Sequence, residues 1–312
     1  MKIKQRHKLR TIKDIARHLG IDLDIIHDLL CALYADETRL YKSWDHPKSS
    51  GGTRPIDTPN ERLKFVQRRI NERILQRTRI NKIAIGGVRG KKLRDNLMPH
   101  VGQSMVANFD LKSFFSNITN RQVYQLYILI GTSPDVARIL TRLTTFKGRI
   151  PQGAPTSPML ANLVAGYARR LCLDERLQGL CRKNNFRTKR WVDDISMSGP
   201  QYLKKFEPTI ISIIEQSGFI PNRNKTAFAS KDKAQFVTGH LVNAKPNINK
   251  QERRILRATL HRCKTIGPEE CTQWPIEKLK RSLRGKIAHL SSINNAAGLK
   301  LLREFNSIKW SA

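Results

Sequence analysis

Hydrophobic residues recur every three to four positions over the first third of the chain, which predicts amphipathic helices there. Ile12, Ile15, Ala16 and Leu19 share one face of a short helix over 11–19 that Gly20 stops. Asp22 opens a second, with Ile25, Ile26, Leu29, Leu30 and Leu33 as its stripe. Leu63, Val66, Ile70 and Ile74 mark a third helix over 61–78, whose Lys64, Arg68, Arg69, Arg73 and Arg77 face elsewhere. Between them, 40–57 predicts a β-hairpin with Lys48-Ser49-Ser50-Gly51-Gly52 at its tip and Arg54 on the returning strand. A basic, flexible connection over 85–92 lacks the spacing of a phosphate-binding loop. Later helices are predicted from a Thr119/Gln122 capping box to Ile130, from Ser133-Pro134, and from Ser157 as N-cap with Leu160, Leu163, Val164, Tyr167 and Leu171 buried. A helix over 202–216 stopped by Gly218, a strand pair around 222–226, a hairpin over 236–242 and three helices within 245–312, broken near Pro268 and Asn294, complete the pattern.

Two strands in this pattern end in carboxylates. Val106-Ala107-Asn108-Phe109-Asp110 is a short apolar strand closed by an acid, and Arg190-Trp191-Val192-Asp193-Asp194-Ile195-Ser196 reads as a hairpin with two acids at its turn. Aspartates are common at turns for their geometry alone. Adjacent like charges repel, however, unless cations sit between them. Three carboxylates from two strand ends can hold two Mg²⁺ ions about 3.5–4 Å apart, an arrangement suited to in-line nucleotidyl transfer. Between the two acidic strands lies Ile150-Pro151-Gln152-Gly153-Ala154-Pro155-Thr156-Ser157-Pro158, a loop stiffened by three prolines and approachable at its glycine.

Charge changes the picture. The 312 residues include 58 Lys and Arg against 25 acids, a formal net charge of +33 spread along the chain. Such a protein is expected to face a polyanion, which makes the acidic triplet a local negative site in a positive field. No apolar run approaches the ~20 residues of a membrane span, and the basic start lacks a signal-peptide core. Five cysteines show no CxxC spacing. The expectation is a cytoplasmic, reduced protein without a membrane partner.

In combined order, Phe-Asp-Leu-Lys-Ser-Phe-Phe, then Pro-Gln-Gly-Ala-Pro-Thr-Ser-Pro, then Val-Asp-Asp resembles motifs A, B and C of reverse transcriptases. Gly218-Phe219 through Asn222 and Lys225-Thr226 looks like motif D, and the Gly51–Ile56 hairpin with Leu63-Lys64 and Gln67 resembles the fingers motifs. The resemblance spans roughly 10–245. Asn96 to His100 and Val237-Thr238-Gly239 are similar to elements of bacterial retron reverse transcriptases, with Leu97 in place of Ala and Trp191 in place of Tyr.

The resemblance implies an α+β right-hand polymerase. Fingers and N-terminal helices would occupy 1–100, a palm of antiparallel sheet and helices, with part of the fingers, 101–243, and a basic helical thumb 244–312. It implies two Mg²⁺ ions on Asp110 and Asp193, with Asp194 assisting and the Leu111 carbonyl as a further ligand. Arg54, with Lys48, would clamp the dNTP triphosphate. Phe115 would exclude a 2′-hydroxyl, or else simply pack in the core. Gln152 and Gly153 would shape the nucleotide pocket. Lys225 would protonate pyrophosphate, unless it is only a solvated surface lysine. Asn96, His100, Val237, Thr238 and Gly239 would read RNA, although His100 alone also suits a structural histidine. Retron membership implies one cognate structured noncoding RNA, copied in part into DNA from an internal guanosine 2′-hydroxyl. Host RNase H would trim the template, and a separate effector protein would serve phage defence. Rival readings are an intron-type or abortive-infection reverse transcriptase, or a non-catalytic RNA-binding scaffold on the same fold.

Overall fold

The structure, a computed structural model, describes residues 9–48, 51–167 and 172–310; Ser49, Ser50 and Leu171 of the expected elements lie outside them. Helix α1 (Ile12–Leu19) starts on a capping box between Thr11 and Asp14 and stops at Gly20 in left-handed conformation. Ahead of it the Leu9 carbonyl accepts from the Ser133 N–H and the Arg10 carbonyl from the Ser133 hydroxyl. Helix α2 (Leu23–Asp36) leads into the antiparallel hairpin of β1 (Tyr41–Pro47) and β2 (Thr53–Pro59).

Helix α3 (Glu61–Arg73) ends earlier than its periodicity suggests and tightens into a 3₁₀ turn over Leu75–Arg77. There Gln76 turns aside, donating to the Gly87 carbonyl and accepting from the Arg89 N–H. The following connection is also less free than expected. Ile83, Ala84 and Ile85 are buried, and Ile85 donates its N–H to the Arg190 carbonyl at 2.9 Å.

Next come α4 (Leu93–Leu97) with a 3₁₀ turn over Met98–His100, then β3 (Met105–Lys112), α5 (Asn120–Leu129) and α6 (Pro134–Thr144). Ser157, expected as an N-cap, is the first residue of α7 (Ser157–Tyr167), and its hydroxyl donates to the Pro151 carbonyl at 2.6 Å. A separate helix, α8 (Leu173–Lys183), precedes β4 (Arg187–Trp191) and β5 (Asp194–Gly199). Its signal, Leu173, Leu177 and Cys181 at helical spacing, was present and unread.

Helix α9 (Glu207–Gln216) begins later than residue 202, because Pro208 is tolerated only in a first turn; 201–206 is 3₁₀. Strands β6 (Ile220–Pro221) and β7 (Ala227–Ser230) flank residues 222–226 rather than containing them. A two-residue turn joins β8 (Phe236–Val237) to β9 (His240–Leu241), with both Thr238 and Gly239 at positive φ, as a type I′ turn requires. Helices α10 (Lys250–Thr265), α11 (Ile276–Ile293) and α12 (Asn295–Asn306) end the chain as the pattern predicts.

Strand β3 organises the sheet. It pairs antiparallel with β5 on one edge, and with β7 and then β6 on the other, while β4 extends the sheet beyond β5. Alternation along β3 separates its faces. Ala107, Phe109 and Leu111 enter the larger core with α1–α3 and α5–α9, whereas Val106 joins a second core built on α10–α12 with Leu97 and Val237. Leu97, the departure from Ala noted above, is fully buried there and supplies apolar volume to that second core. Among the described residues no helix is long and apolar enough to cross a membrane.

Candidate active site

The register of β3 and β5 brings the acids together. Asp110 lies directly opposite Asp194, Asn108 opposite Ser196 and Val106 opposite Ser198, so these side chains share one face of the sheet. The turn between β4 and β5 adds Asp193, whose carbonyl accepts the Leu111 N–H at 3.1 Å. Residues far apart in sequence thus meet at one sheet end. Val192 in that turn has φ +59°, a left-handed conformation that a β-branched residue rarely adopts.

Electrostatics mark the cluster. Burial, then the neighbouring charges of Asp193 and Asp110, push Asp194 up to about 6. Asp193 is also raised, by burial first and by Asp110, against the opposing pull of Lys225 and Arg54. The Asp110 oxygens are already engaged: Lys225 Nζ stands 3.1 Å from Oδ1, and Asn222 Nδ2 donates to Oδ2 at 2.9 Å. The Asn222 N–H also donates to the Asp110 carbonyl at 2.7 Å. Among the described residues no three or more His, Cys, Asp or Glu side chains are grouped so as to hold a metal ion.

The donor set nonetheless suits divalent cations. It offers hard carboxylate oxygens, crowded and partly desolvated, with a lysine ammonium supplying the positive charge at one of them. Leu111 is buried beside them, with its backbone N–H turned to the Asp193 carbonyl rather than to its register partner Pro221.

Basic hairpin β1–β2 reaches over this end. Arg54, paired with His46 across the hairpin, is close enough to Asp193 to lower its pKa, and its Nε is shielded from solvent without a hydrogen-bond partner. An unpaired buried donor of this kind suits an anionic ligand. Lys48 is exposed at the tip, where its N–H and carbonyl bond Gly52 and Gly51. The loop before α7 meets the same hairpin: the Gln152 carbonyl accepts the Asp57 N–H at 2.9 Å. Gly153, at φ +136°, lies so close that a Cβ would stand 2.9 Å from Thr58 Oγ1 and 3.0 Å from the Asp57 carbonyl. Phe115 is half-buried, edge-on to Phe114 with ring centroids 5.9 Å apart.

The residues expected to read RNA lie mostly inside the protein, which corrects the idea that they touch it directly. Asn96, His100 and Val237 are almost fully buried. Asn96 Nδ2 donates to Thr238 Oγ1 at 2.9 Å, and His100 Nδ1 meets the Ser198 hydroxyl at 2.7 Å. Asn108 Nδ2 donates to the Phe236 carbonyl while its Oδ1 accepts from Ser196. The two elements therefore brace the polar face of the acidic sheet against the hairpin of the second core; only Gly239 is exposed and Thr238 half-exposed. Sequence reasoning passed over Asn162 and Asp174 and gave Asn222 and Arg190 no role of their own, polar residues whose partners are visible only in three dimensions.

Known proteins place the architecture. A family model described as reverse transcriptase (RNA-dependent DNA polymerase) matches residues 46–256. The retron Mx65 reverse transcriptase of Myxococcus xanthus is 32% identical over 94% of this chain and 71% of its own length. The retron Mx162 reverse transcriptase of the same organism is 28% identical over 98% and 68%, and the retron Ec86 enzyme of Escherichia coli 29% over 67% and 64%. A solved telomerase from Candida albicans, in complex with a fragment of telomeric RNA, aligns with TM-score 0.47 and 11% identity, covering 85% of this chain and 59% of that one. Taken with the antiparallel sheet that gathers the acids, the family model and the Mx65 relative establish that this chain belongs to the reverse transcriptases, as a retron-type RNA-directed DNA polymerase of the α+β polymerase fold.

Proposed function

We propose that the protein copies part of one cognate structured noncoding RNA into single-stranded DNA, starting from an internal guanosine 2′-hydroxyl and leaving a branched RNA–DNA molecule. The observation that carries the catalytic part is the register of Asp110 against Asp194, with Asp193 in the adjoining turn. Enzymes of this family use divalent metal ions. Here Asp110, Asp193 and Asp194, with the Leu111 carbonyl, would hold two Mg²⁺ ions, which when bound acidify the attacking hydroxyl and stabilise the leaving pyrophosphate. Arg54 and Lys48 receive the triphosphate from the hairpin side, Arg54 with its unpaired Nε. Lys225 is poised at Asp110 to move onto the pyrophosphate and give it a proton. Phe115 underlies the sugar, and Gln152 and Gly153 fix the hairpin that closes the pocket.

We assign fingers and N-terminal helices to 1–100, palm to 101–243 and thumb to 244–312, the last in keeping with the separate core of α10–α12. Basic surfaces there would grip the duplex through its phosphates, while Thr238 and Gly239 offer the exposed part of the retron element to RNA. The five cysteines are free, which fits a reducing cytoplasm. Host RNase H and a separate effector would complete a phage-defence unit. Co-expression with the structured RNA encoded beside the gene tests the reading. Branched DNA that shortens on debranching is expected, and linear DNA primed from a free 3′ end would contradict it.

A further inference from the structure

Beneath the acidic turn lies a charged group that the chemistry above does not use. Arg190, on β4, has no solvent exposure, and neither does its partner Asp174 on α8. Its register partner is Ile195, so it sits on the core face of the sheet, opposite the carboxylates, and cannot touch a substrate bound to them. Nε and Nη2 form a bidentate fork on Asp174, both at 2.8 Å. That pair would already satisfy the buried charge. Yet Nη1 makes two further bonds, to Asn162 Oδ1 at 2.8 Å and to the Val192 carbonyl at 2.7 Å.

The second of these bonds falls on the strained residue. A non-glycine residue in a sparsely populated conformation is strained and persists only where its surroundings over-determine it. Val192 is held from both sides. Arg190 takes its carbonyl, and on the other side a Cβ on Gly86 would stand 2.9 Å from Val192 Cγ2 and 3.0 Å from its nitrogen. Asn162 joins the two holds, receiving from Arg190 and donating to the Gly86 carbonyl at 2.6 Å. The Arg190 main chain is fixed as well, donating its N–H to the Ile83 carbonyl and accepting from Ile85. Its guanidinium also lies 5.8 Å from the Phe114 ring, the neighbour of Phe115.

We infer that Arg190, locked by Asp174 and Asn162, is a positioning residue that holds Val192 in its left-handed conformation and thereby presents Asp193 and Asp194 to the metal ions. The inference rests on the metal-binding reading of those aspartates. A buried ion pair can often be replaced by apolar residues of similar volume without loss of stability. The pair alone would therefore be dispensable, whereas the bond to Val192 is not. Lysine keeps the charge but has no planar fork to reach Asp174, Asn162 and Val192 together.

The test uses full-length protein with its RNA and compares wild type, Arg190→Lys and the double variant Asp174→Leu/Arg190→Met. Folding is checked by circular dichroism, and Mn²⁺ binding is read by electron paramagnetic resonance without dNTP. Loss of support around metal ligands typically costs about 10–100-fold in affinity or activity. Both variants are accordingly expected to bind RNA as wild type does, to keep the dNTP KM, and to lose kcat and Mn²⁺ affinity within that range. Glycine adopts positive φ without penalty, so adding Val192→Gly to Arg190→Lys is expected to restore part of both. Wild-type kcat and Mn²⁺ affinity in Arg190→Lys would overturn the inference. So would a loss of activity with unchanged Mn²⁺ affinity and no recovery on Val192→Gly, even if the double variant does not fold. Asp193→Asn, measured alongside, separates the two levels: undiminished Mn²⁺ binding in that variant would remove the metal-binding reading itself.

Discussion

Phe115 and His100 show how a single side chain's role depends on what surrounds it. Phe115 is half-buried, with its neighbour Phe114 buried beneath it, so it can pack and still present a face to the cleft. Replacing it with alanine is expected to raise ribonucleotide incorporation relative to dNTP use in a competition assay; unchanged selectivity would return Phe115 to plain packing. His100 is a different case. Burial first, then Lys189 and Arg187, push its pKa down to about 3, so it stays neutral in the folded protein. The unfolded chain's histidine titrates near 6.5. Between those values the unfolded state binds more protons, and stability is lost as pH falls from about 6.5 towards 3, with a slope of up to ~1.4 kcal/mol per pH unit. His100→Gln is expected to flatten that acid limb in denaturant titrations between pH 6.5 and 4.5. An unaltered slope would mean that His100 is not buried as described.

At the scale of elements, the loop before α7 and the hairpin β1–β2 behave as one unit. The Asp57 N–H is spent on the Gln152 carbonyl, and Gly153 admits no side chain against Thr58. Gly153→Ala should displace the hairpin that carries Arg54. The expected result is a dNTP KM raised by about tenfold, the equivalent of ~1.4 kcal/mol, with kcat less affected. A variant with lowered kcat and unchanged KM would contradict this coupling.

Elements with strong local signals were legible in the sequence. The first helix with its Gly20 stop, the Thr119 capping box, the 236–242 hairpin and the Asp-Asp hairpin all stand where their residues predict. Boundaries set by tertiary partners were not. Helix α3 stops where Gln76 reaches across to Gly87 and Arg89, and the 85–92 connection is pinned at its start by Arg190. The site divides the same way. Each acid could be read from its strand, and their opposition could be expected from family resemblance. The buried Asp174 and Asn162 and the half-buried Asn222 could not, because a lone polar residue in a helix or turn carries no local sign of its distant partner. Arg190, at the start of the Asp-Asp hairpin, shows nothing local that sets it apart in a chain with 58 Lys and Arg.

Over the whole molecule, two opposite electrostatic tasks are kept apart. A net charge of +33 favours a nucleic acid partner over a large area, an attraction that depends on many phosphates and on no single residue. The acidic cluster opposes that field locally: burial first, then repulsion among the carboxylates, raises Asp193 and Asp194, while Lys225 pairs with Asp110 and Arg54 pulls against the rise at Asp193. RNA binding and chemistry should therefore separate when one carboxylate is neutralised. The most direct measurement compares purified wild type and Asp193→Asn in RNA-templated dNTP incorporation, with RNA affinity determined on the same preparations. The account predicts that synthesis is abolished while RNA affinity is retained. DNA synthesis at the wild-type rate by Asp193→Asn would contradict it.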